Sequence, residues 1–214
     1  MFSVNSVAKK ILVATTNRGK LAELAQMLGE LSEQIEWLSL RDFSDVSEVV
    51  EDGADFAQNA RKKAVEYSRA TGLWTLADDS GLMVDALGGA PGVKSARFSG
   101  GKDKNRTLLD HKNIAKVMKL LEGTPEEKRT AKFVCCLCLA SPEKVLIETE
   151  GKLEGVIAQK EMGTNGFGYD PIFYIPRLGK TAAQLQPELK NTVSHRGQAI
   201  AILKPLMLKL LSER

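Results

Sequence analysis

Lys10-Ile11-Leu12-Val13-Ala14-Thr15-Thr16-Asn17-Arg18-Gly19-Lys20 is the stretch from which the rest of the chain can be read. Ile11 to Ala14 is a short unbroken apolar run, the pattern of a strand whose sheet is covered on both faces. Thr15 to Gly19 is a polar turn, and a helix begins near Lys20, with Leu21, Leu24, Ala25, Leu28 and Leu31 recurring at helical spacing. The alternation then repeats. Ile35 to Leu40 reads as a strand, and Asp55 to Ala70 as an amphipathic helix with Phe56, Ala57, Ala60, Ala64 and Tyr67 on one face. Gly72 ends that helix and Leu73 to Ala77 is a third strand. Strand and helix in alternation define an α/β fold.

Further along, the character changes. Gly88-Gly89-Ala90-Pro91-Gly92 is turn-rich, and Arg97 to Asn105 is small and polar, expected to be exposed and mobile. Ile114, Val117, Met118 and Leu121 predict a helix ended by Gly123. Thr130 to Ala140, Val145 to Glu150 and Leu153 to Ala158 predict three successive antiparallel strands. Gly163 to Tyr169 is a glycine-rich loop, and a last helix runs from about Ser194 to Leu211, with a kink or break expected at Pro205. No repeat, low-complexity run or linker interrupts the chain. Residues 1–214 are therefore expected to form one domain of two lobes around a long mixed sheet, with a cleft between the lobes.

Composition narrows the function. Apolar residues make up 43% and charged residues 27% of 214, an ordinary globular balance. A net charge of +3 argues for neither a nucleic-acid nor a membrane partner. Met1 to Lys10 has no basic segment followed by an apolar core, and no apolar run nears the roughly 18 residues of a membrane span. Cys135, Cys136 and Cys138 crowd one apolar stretch without metal-ligand spacing, so they read as reduced residues packed as small apolar groups. A cytoplasmic enzyme fits these features.

Four constellations carry chemistry. The Thr15 to Lys20 turn brings backbone N–H groups, a helix N-terminus and a lysine to one point, a suitable place for phosphate. It is not a Walker A loop, and alone it reads equally as a solvated turn. Asp78-Asp79-Ser80-Gly81 follows a buried strand, where open α/β sheets place their ligands, and two adjacent aspartates there suit Mg²⁺. Alone, the same four residues read as a capped turn, and Glu51-Asp52 as part of a solvated acidic loop. Gly166-Phe167-Gly168-Tyr169-Asp170-Pro171 lets backbone approach a flat ligand while Phe167 offers a stacking face, and Asp170 before proline is expected to be extended. Its alternative is a loop tucked into the core. Ser194 is a natural N-cap for the last helix, projecting His195 and Arg196 from its N-terminal end. Alone, that tripeptide is a cap with two solvated neighbours.

In order and spacing these motifs resemble one family, the inosine triphosphate pyrophosphatases, also called dITP/XTP pyrophosphatases. The pattern runs through Thr15-x-Asn17-x-x-Lys20, Glu51-Asp52-Gly53 with Phe56, Asn59-Ala60 and Lys63-Ala64, and Ala77-Asp78-Asp79-Ser80-Gly81-Leu82. It continues in Ser95-Ala96-Arg97, Gly166 to Phe173, Lys180-Thr181-Ala182-Ala183 and Ser194-His195-Arg196-Gly197, covering the chain from about Ile11 to Leu211. Gln58 departs from the pattern, standing where relatives often carry an acid.

The resemblance implies a homodimeric, Mg²⁺-dependent enzyme that cuts ITP, dITP and XTP to monophosphate and pyrophosphate. It implies Asp79 as proton acceptor for the attacking water and metal ligand, Glu51 as second metal ligand, and Asp78 as a supporting carboxylate. Thr15, Thr16, Asn17, Arg18, Gly19, Lys20 and Lys63 would hold the triphosphate, with Ser80 beside them. Phe167, Gly168, Tyr169, Asp170, Lys190, His195 and Arg196 would frame base and sugar. Donors from His195 and Arg196 aimed at a 6-oxo group would meet the amino donor of adenine instead, and sites that read a polar group this way discriminate by about 10⁴. Rejection of guanine must rest on its 2-amino group, which no motif addresses. Two other readings are a related pyrophosphatase acting on dTTP and UTP, against which the Phe167 and Ser194 motifs argue, and a non-catalytic nucleotide sensor.

Overall fold

The computed structural model describes residues 8–101 and 105–213. Seven strands form one sheet in the order β2-β1-β3-β4-β5-β6-β7. The strands are β1 (Lys9–Ala14), β2 (Ile35–Ser39), β3 (Trp74–Val84), β4 (Thr130–Ala140), β5 (Val145–Ile157), β6 (Phe173–Ile175) and β7 (Lys180–Thr181). The helices are α1 (Arg18–Leu28), α2 (Phe56–Thr71), α3 (Arg106–Leu120), α4 (Pro187–Val193) and α5 (His195–Ser212). β1 is parallel to both β2 and β3, whereas β5, β6 and β7 pair antiparallel, so the sheet is mixed. No helix among the described residues is long and apolar enough to cross a membrane.

The chain divides into two compact units, one of Met1–Asp78, Cys136–Thr149 and Ile200–Arg214, the other of Asp79–Cys135 and Glu150–Ala199. In the first unit Ile11 and Leu12 of β1, Leu76 of β3, Leu24 and Leu28 of α1 and Ala60 and Ala64 of α2 are all buried. Asn17 caps α1 by accepting from the N–H groups of Gly19 and Lys20, which starts the helix two residues before the predicted position. Asp55 caps α2, and Gln58 Oε1 accepts from the Ala54 N–H at 3.1 Å. Ala57, expected on the buried face of α2, is exposed; Asn59 and Lys63 are buried on that face instead, for reasons that belong to the site.

The second unit is built around Leu82, Val84, Ile114, Val117, Phe133, Leu153, Ile172 and Phe173. Here the sequence misleads most. Val145 to Glu150 and Leu153 to Ala158 were expected as two strands, yet β5 runs unbroken through Gly151. The glycine is needed for close approach rather than for a turn: a Cβ there would stand 2.1 Å from the His195 carbonyl oxygen and 2.6 Å from the Ala199 nitrogen. Gly151→Ala should therefore destabilise the protein by about 2 kcal/mol through overpacking, lowering the thermal midpoint by about 5 °C in a chain of this size.

Two more expectations need correcting. α5 passes through Pro205 without a break, and Pro205 and Ala201, whose carbonyl loses its partner, both face solvent, where water can serve it. Short α4, β6 and β7 were not predicted at all; their few residues carry too little periodicity to register. The leader reading of Met1 to Lys10 and the mobility expected for Arg97 to Asn105 fall in part on residues 1–7 and 102–104, which lie outside the described residues; Arg97 and Asn105 are exposed, as expected.

The three cysteines are reduced thiols buried in β4. Burial pushes the Cys138 thiol up to about 12, with Glu148 adding to the shift. A thiol reagent at pH 8 should leave the native protein unmodified and titrate all three thiols once denaturant is added.

Candidate active site

β1 ends at Ala14, opposite Ala77, while β3 continues for seven more residues to Val84. Asp78, Asp79, Ser80 and Gly81 thus lie within a strand, not in a turn beyond it. Asp78 follows directly on the Ala77 position at which β1 ends, and the polar turn after β1 reaches it. Lys20, in the first turn of α1, pairs with the Asp78 carboxylate, and this pairing allows the carboxylate to be buried. Thr15 and Asn17 are partly buried in the turn, with the Asn17 N–H donating to Thr15 Oγ1, while Thr16 and Arg18 are exposed.

α2 explains its own polar face. Lys63 is buried and its Nζ donates to Glu51 Oε1 at 2.6 Å and to the Asp78 carbonyl at 2.8 Å. Asn59 is buried and accepts from the Gly53 N–H at 2.8 Å, and Lys62 holds Asp52 at 2.6 Å. Lys62 also keeps the Asp52 carboxyl below its ordinary range, by a hydrogen bond first and by charge second. Three side chains of one helix thereby tie down the Glu51-Asp52-Gly53 loop. Sequence reasoning placed Glu51 and Lys63 in the site but missed the holding role of Asn59; a polar residue at a buried helical position was the available signal.

The second unit gathers the other predicted residues. Asp79 is buried, and Ser80 Oγ accepts from Arg196 Nη2 at 2.7 Å. Arg196 is only 1% exposed and its guanidinium lies 5.9 Å from the Phe167 ring centre. Lys190 Nζ lies 4.8 Å from the same centre and 2.5 Å from Asp170 Oδ2. His195 stacks on Phe133, with ring centres 4.8 Å apart and planes 16° from parallel. Ser194 Oγ accepts from the Gly197 N–H at 3.0 Å, the predicted cap that starts α5 and sets His195 and Arg196 at its first turn.

Asp170 is not extended; it opens a 3₁₀ turn, Asp170–Ile172. Its Oδ2 accepts from the Phe167 N–H at 2.8 Å as well as from Lys190, and these bonds override the bias that Pro171 imposes. Gly166, with φ +77°, is required here: a Cβ would stand 2.1 Å from Asp170 Oδ2. Among the described residues no group of three or more His, Cys, Asp or Glu side chains gathers as a metal cage.

The Ham1 family model matches residues 11–206. The chain belongs to the Ham1 family. A dITP/XTP pyrophosphatase of Geobacter sulfurreducens is 50% identical to this Ham1 chain over 195 residues, 91% of this chain and 94% of the relative. The structure of a HAM1 protein from Coxiella burnetii is 41% identical, with a TM-score of 0.82 over 94% of this chain and 99% of the other. A nucleoside-triphosphatase / dITP/XTP pyrophosphatase structure from Mycobacterium abscessus is 46% identical, with a TM-score of 0.74 over 92% and 99%. The mixed sheet and its helices are thus the Ham1 fold, and the motifs read in the sequence lie almost wholly within the matched residues.

Proposed function

We propose that this Ham1 chain hydrolyses aberrant purine nucleoside triphosphates, dITP, ITP and XTP, to the nucleoside monophosphate and pyrophosphate. The pairing of cationic side chains with an aromatic face carries the reading: Lys190 and Arg196 both flank Phe167, inside a frame of buried polar groups. Lys20 and Lys63 hold phosphate oxygens, with Thr15, Thr16, Asn17, Arg18 and Gly19 supplying N–H and hydroxyl donors at the α1 N-terminus. The base stacks on Phe167, and His195 and Arg196 donate to its 6-oxo group.

Asp79 accepts the proton of the water that attacks the α-phosphorus. The bond from that phosphorus to the bridging oxygen breaks, and the electron pair leaves with pyrophosphate. Fixed lysine charges stabilise the developing negative charge more in the transition state than in the ground state. Glu51 and Asp79 would hold Mg²⁺, with Asp78 as support. An all-carboxylate set suits this hard cation, which binds through one or two carboxylates plus water and substrate phosphates. When bound, it neutralises phosphate charge and acidifies water. Homodimer formation and a cytoplasmic location complete the reading, with no nucleic-acid or membrane partner.

Pyrophosphate release from dITP, ITP and XTP, measured against ATP and GTP with Mg²⁺ present, is the test. The expected result is turnover of the first three far above ATP and GTP. Orthophosphate as first product, or equal turnover of all five, refutes the reading.

A further inference from the structure

α3 presents Leu109, Ile114 and Val117 to the core, yet Asp110 and Asn113 are buried with them. A carboxylate and an amide in such positions are unfavourable unless hydrogen-bonded. Their hydrogen-bond partners lie outside the helix. Asp110 Oδ2 accepts from the Gly168 N–H at 3.0 Å, and its Oδ1 lies 3.0 Å from Arg106 Nε. Asn113 Oδ1 accepts from the Ser99 N–H at 2.8 Å, and its Nδ2 donates to the Ser95 and Ala96 carbonyls at 3.4 Å each.

Ser95 carries the connection onward. Its carbonyl also accepts from the buried Tyr169 hydroxyl at 2.9 Å, and its Oγ accepts from the Leu82 N–H of β3 at 2.9 Å. Burial, and then the Asp110 charge, push the Tyr169 phenol up, which keeps it protonated as the donor in that bond. Gly168 and Tyr169 are thus tied to α3 on one side and to Ser95 on the other.

The mechanical consequence falls on Phe167. Gly166 and Gly168 flank it with φ of +77° and +60°, so its own backbone does little to fix the ring. Its position depends on what the adjacent N–H groups bind: Asp170 takes that of Phe167 and Asp110 that of Gly168. Asp170 belongs to the loop itself. Asp110 comes from an element 58 residues earlier and anchors the loop to a helix. The Arg106 contact is an i,i+4 pair whose arginine is solvent-exposed, so it contributes little by itself.

We propose that Asp110, supported by Asn113, is a positioning residue that holds the Phe167–Tyr169 loop in place for base binding. Its link to base binding rests on the reading of Phe167 above; the anchoring itself does not.

Steady-state kinetics with XTP and amide hydrogen exchange test it on the full chain. In Asp110→Ala, KM should rise about tenfold, the effect of losing a hydrogen bond to a charged group, with kcat changed less than about threefold. Exchange should accelerate at 166–170 and not in β1 or α1. Asp110→Asn, which keeps an acceptor oxygen, should restore most of both, and Arg106→Ala should leave KM within about twofold of wild type. Should Asp110→Ala fail to fold, Asp110→Ser, too short to reach Gly168, carries the same expectations. Wild-type KM and wild-type loop exchange in the Ala or Ser variant overturn the proposal. So does acceleration spread evenly over the chain with KM unmoved, the mark of general destabilisation. If the wild type releases no pyrophosphate from XTP, the functional reading fails, and the exchange arm still decides whether Asp110 anchors the loop.

Discussion

Asp79→Asn should give a folded chain that still binds XTP and turns it over about 10³-fold more slowly. The carboxamide has nearly the shape of the carboxylate and sits in the interior of β3, so strand pairing is retained. On the proposed reading, it loses the ability to take a proton from the attacking water and one carboxylate charge that would hold Mg²⁺. Asp79 is only 6% exposed, so bulk water has poor access to replace it. Pyrophosphate release gives kcat and calorimetric titration gives XTP affinity. A fall in kcat of less than about tenfold excludes Asp79 as the proton acceptor. A parallel loss of binding and folding would place its role in structure instead. Retained binding with lost turnover also rules out a pure sensor, which needs no proton acceptor.

Lys190→Met should destabilise the protein by about 3 kcal/mol, because it leaves the Asp170 carboxylate buried without its cation. The two side chains are 8% and 4% exposed, so the pair is well shielded from solvent. In a domain of this size that loss lowers the thermal midpoint by about 8 °C. The double variant Lys190→Met with Asp170→Asn should recover more than half of the loss, since it removes the orphaned charge while keeping an acceptor for the Phe167 N–H. Single and double variants within about 0.5 kcal/mol of wild type in denaturant titration would show that the pair does not hold this loop. Both variants should bind XTP more weakly, because Lys190 also flanks the Phe167 ring.

Much of the architecture could be read from local pattern. Ile11 to Ala14 is apolar without a gap and became a buried strand, and the Leu24 and Leu28 spacing became α1. Ser194 announced the start of the last helix because it satisfies a backbone donor within its own first turn, as Asn17 and Asp55 do for α1 and α2 in the structure. The candidate site residues could be named from sequence only because the motifs occur together in order and spacing: alone, the glycines around Phe167 and the adjacent aspartates read as well as a tucked loop and a capped turn.

Failures of local reading occurred where distant groups decide the conformation. Gly151 looked like a turn and is a passing place for the α5 backbone. Asp170 was expected to be extended and is turned by Lys190 and the Phe167 N–H. Asn59 and Asp110 sit on helices and hold loops, and no periodicity reveals a polar side chain whose partner lies elsewhere in the chain.

The strand-turn-helix at Lys10 to Lys20 shows the division. Its sequence alone determined a buried strand, a polar turn and a lysine in the first helical turn, because all of these arise from neighbours within a few residues. Only the tertiary structure decided that this lysine meets Asp78, 58 residues away in a strand that outruns β1. An ion pair of that kind forms because burying a carboxylate without a cation is too unfavourable. Which cation serves it depends on where the folded chain brings a lysine, and no spacing along the sequence records that.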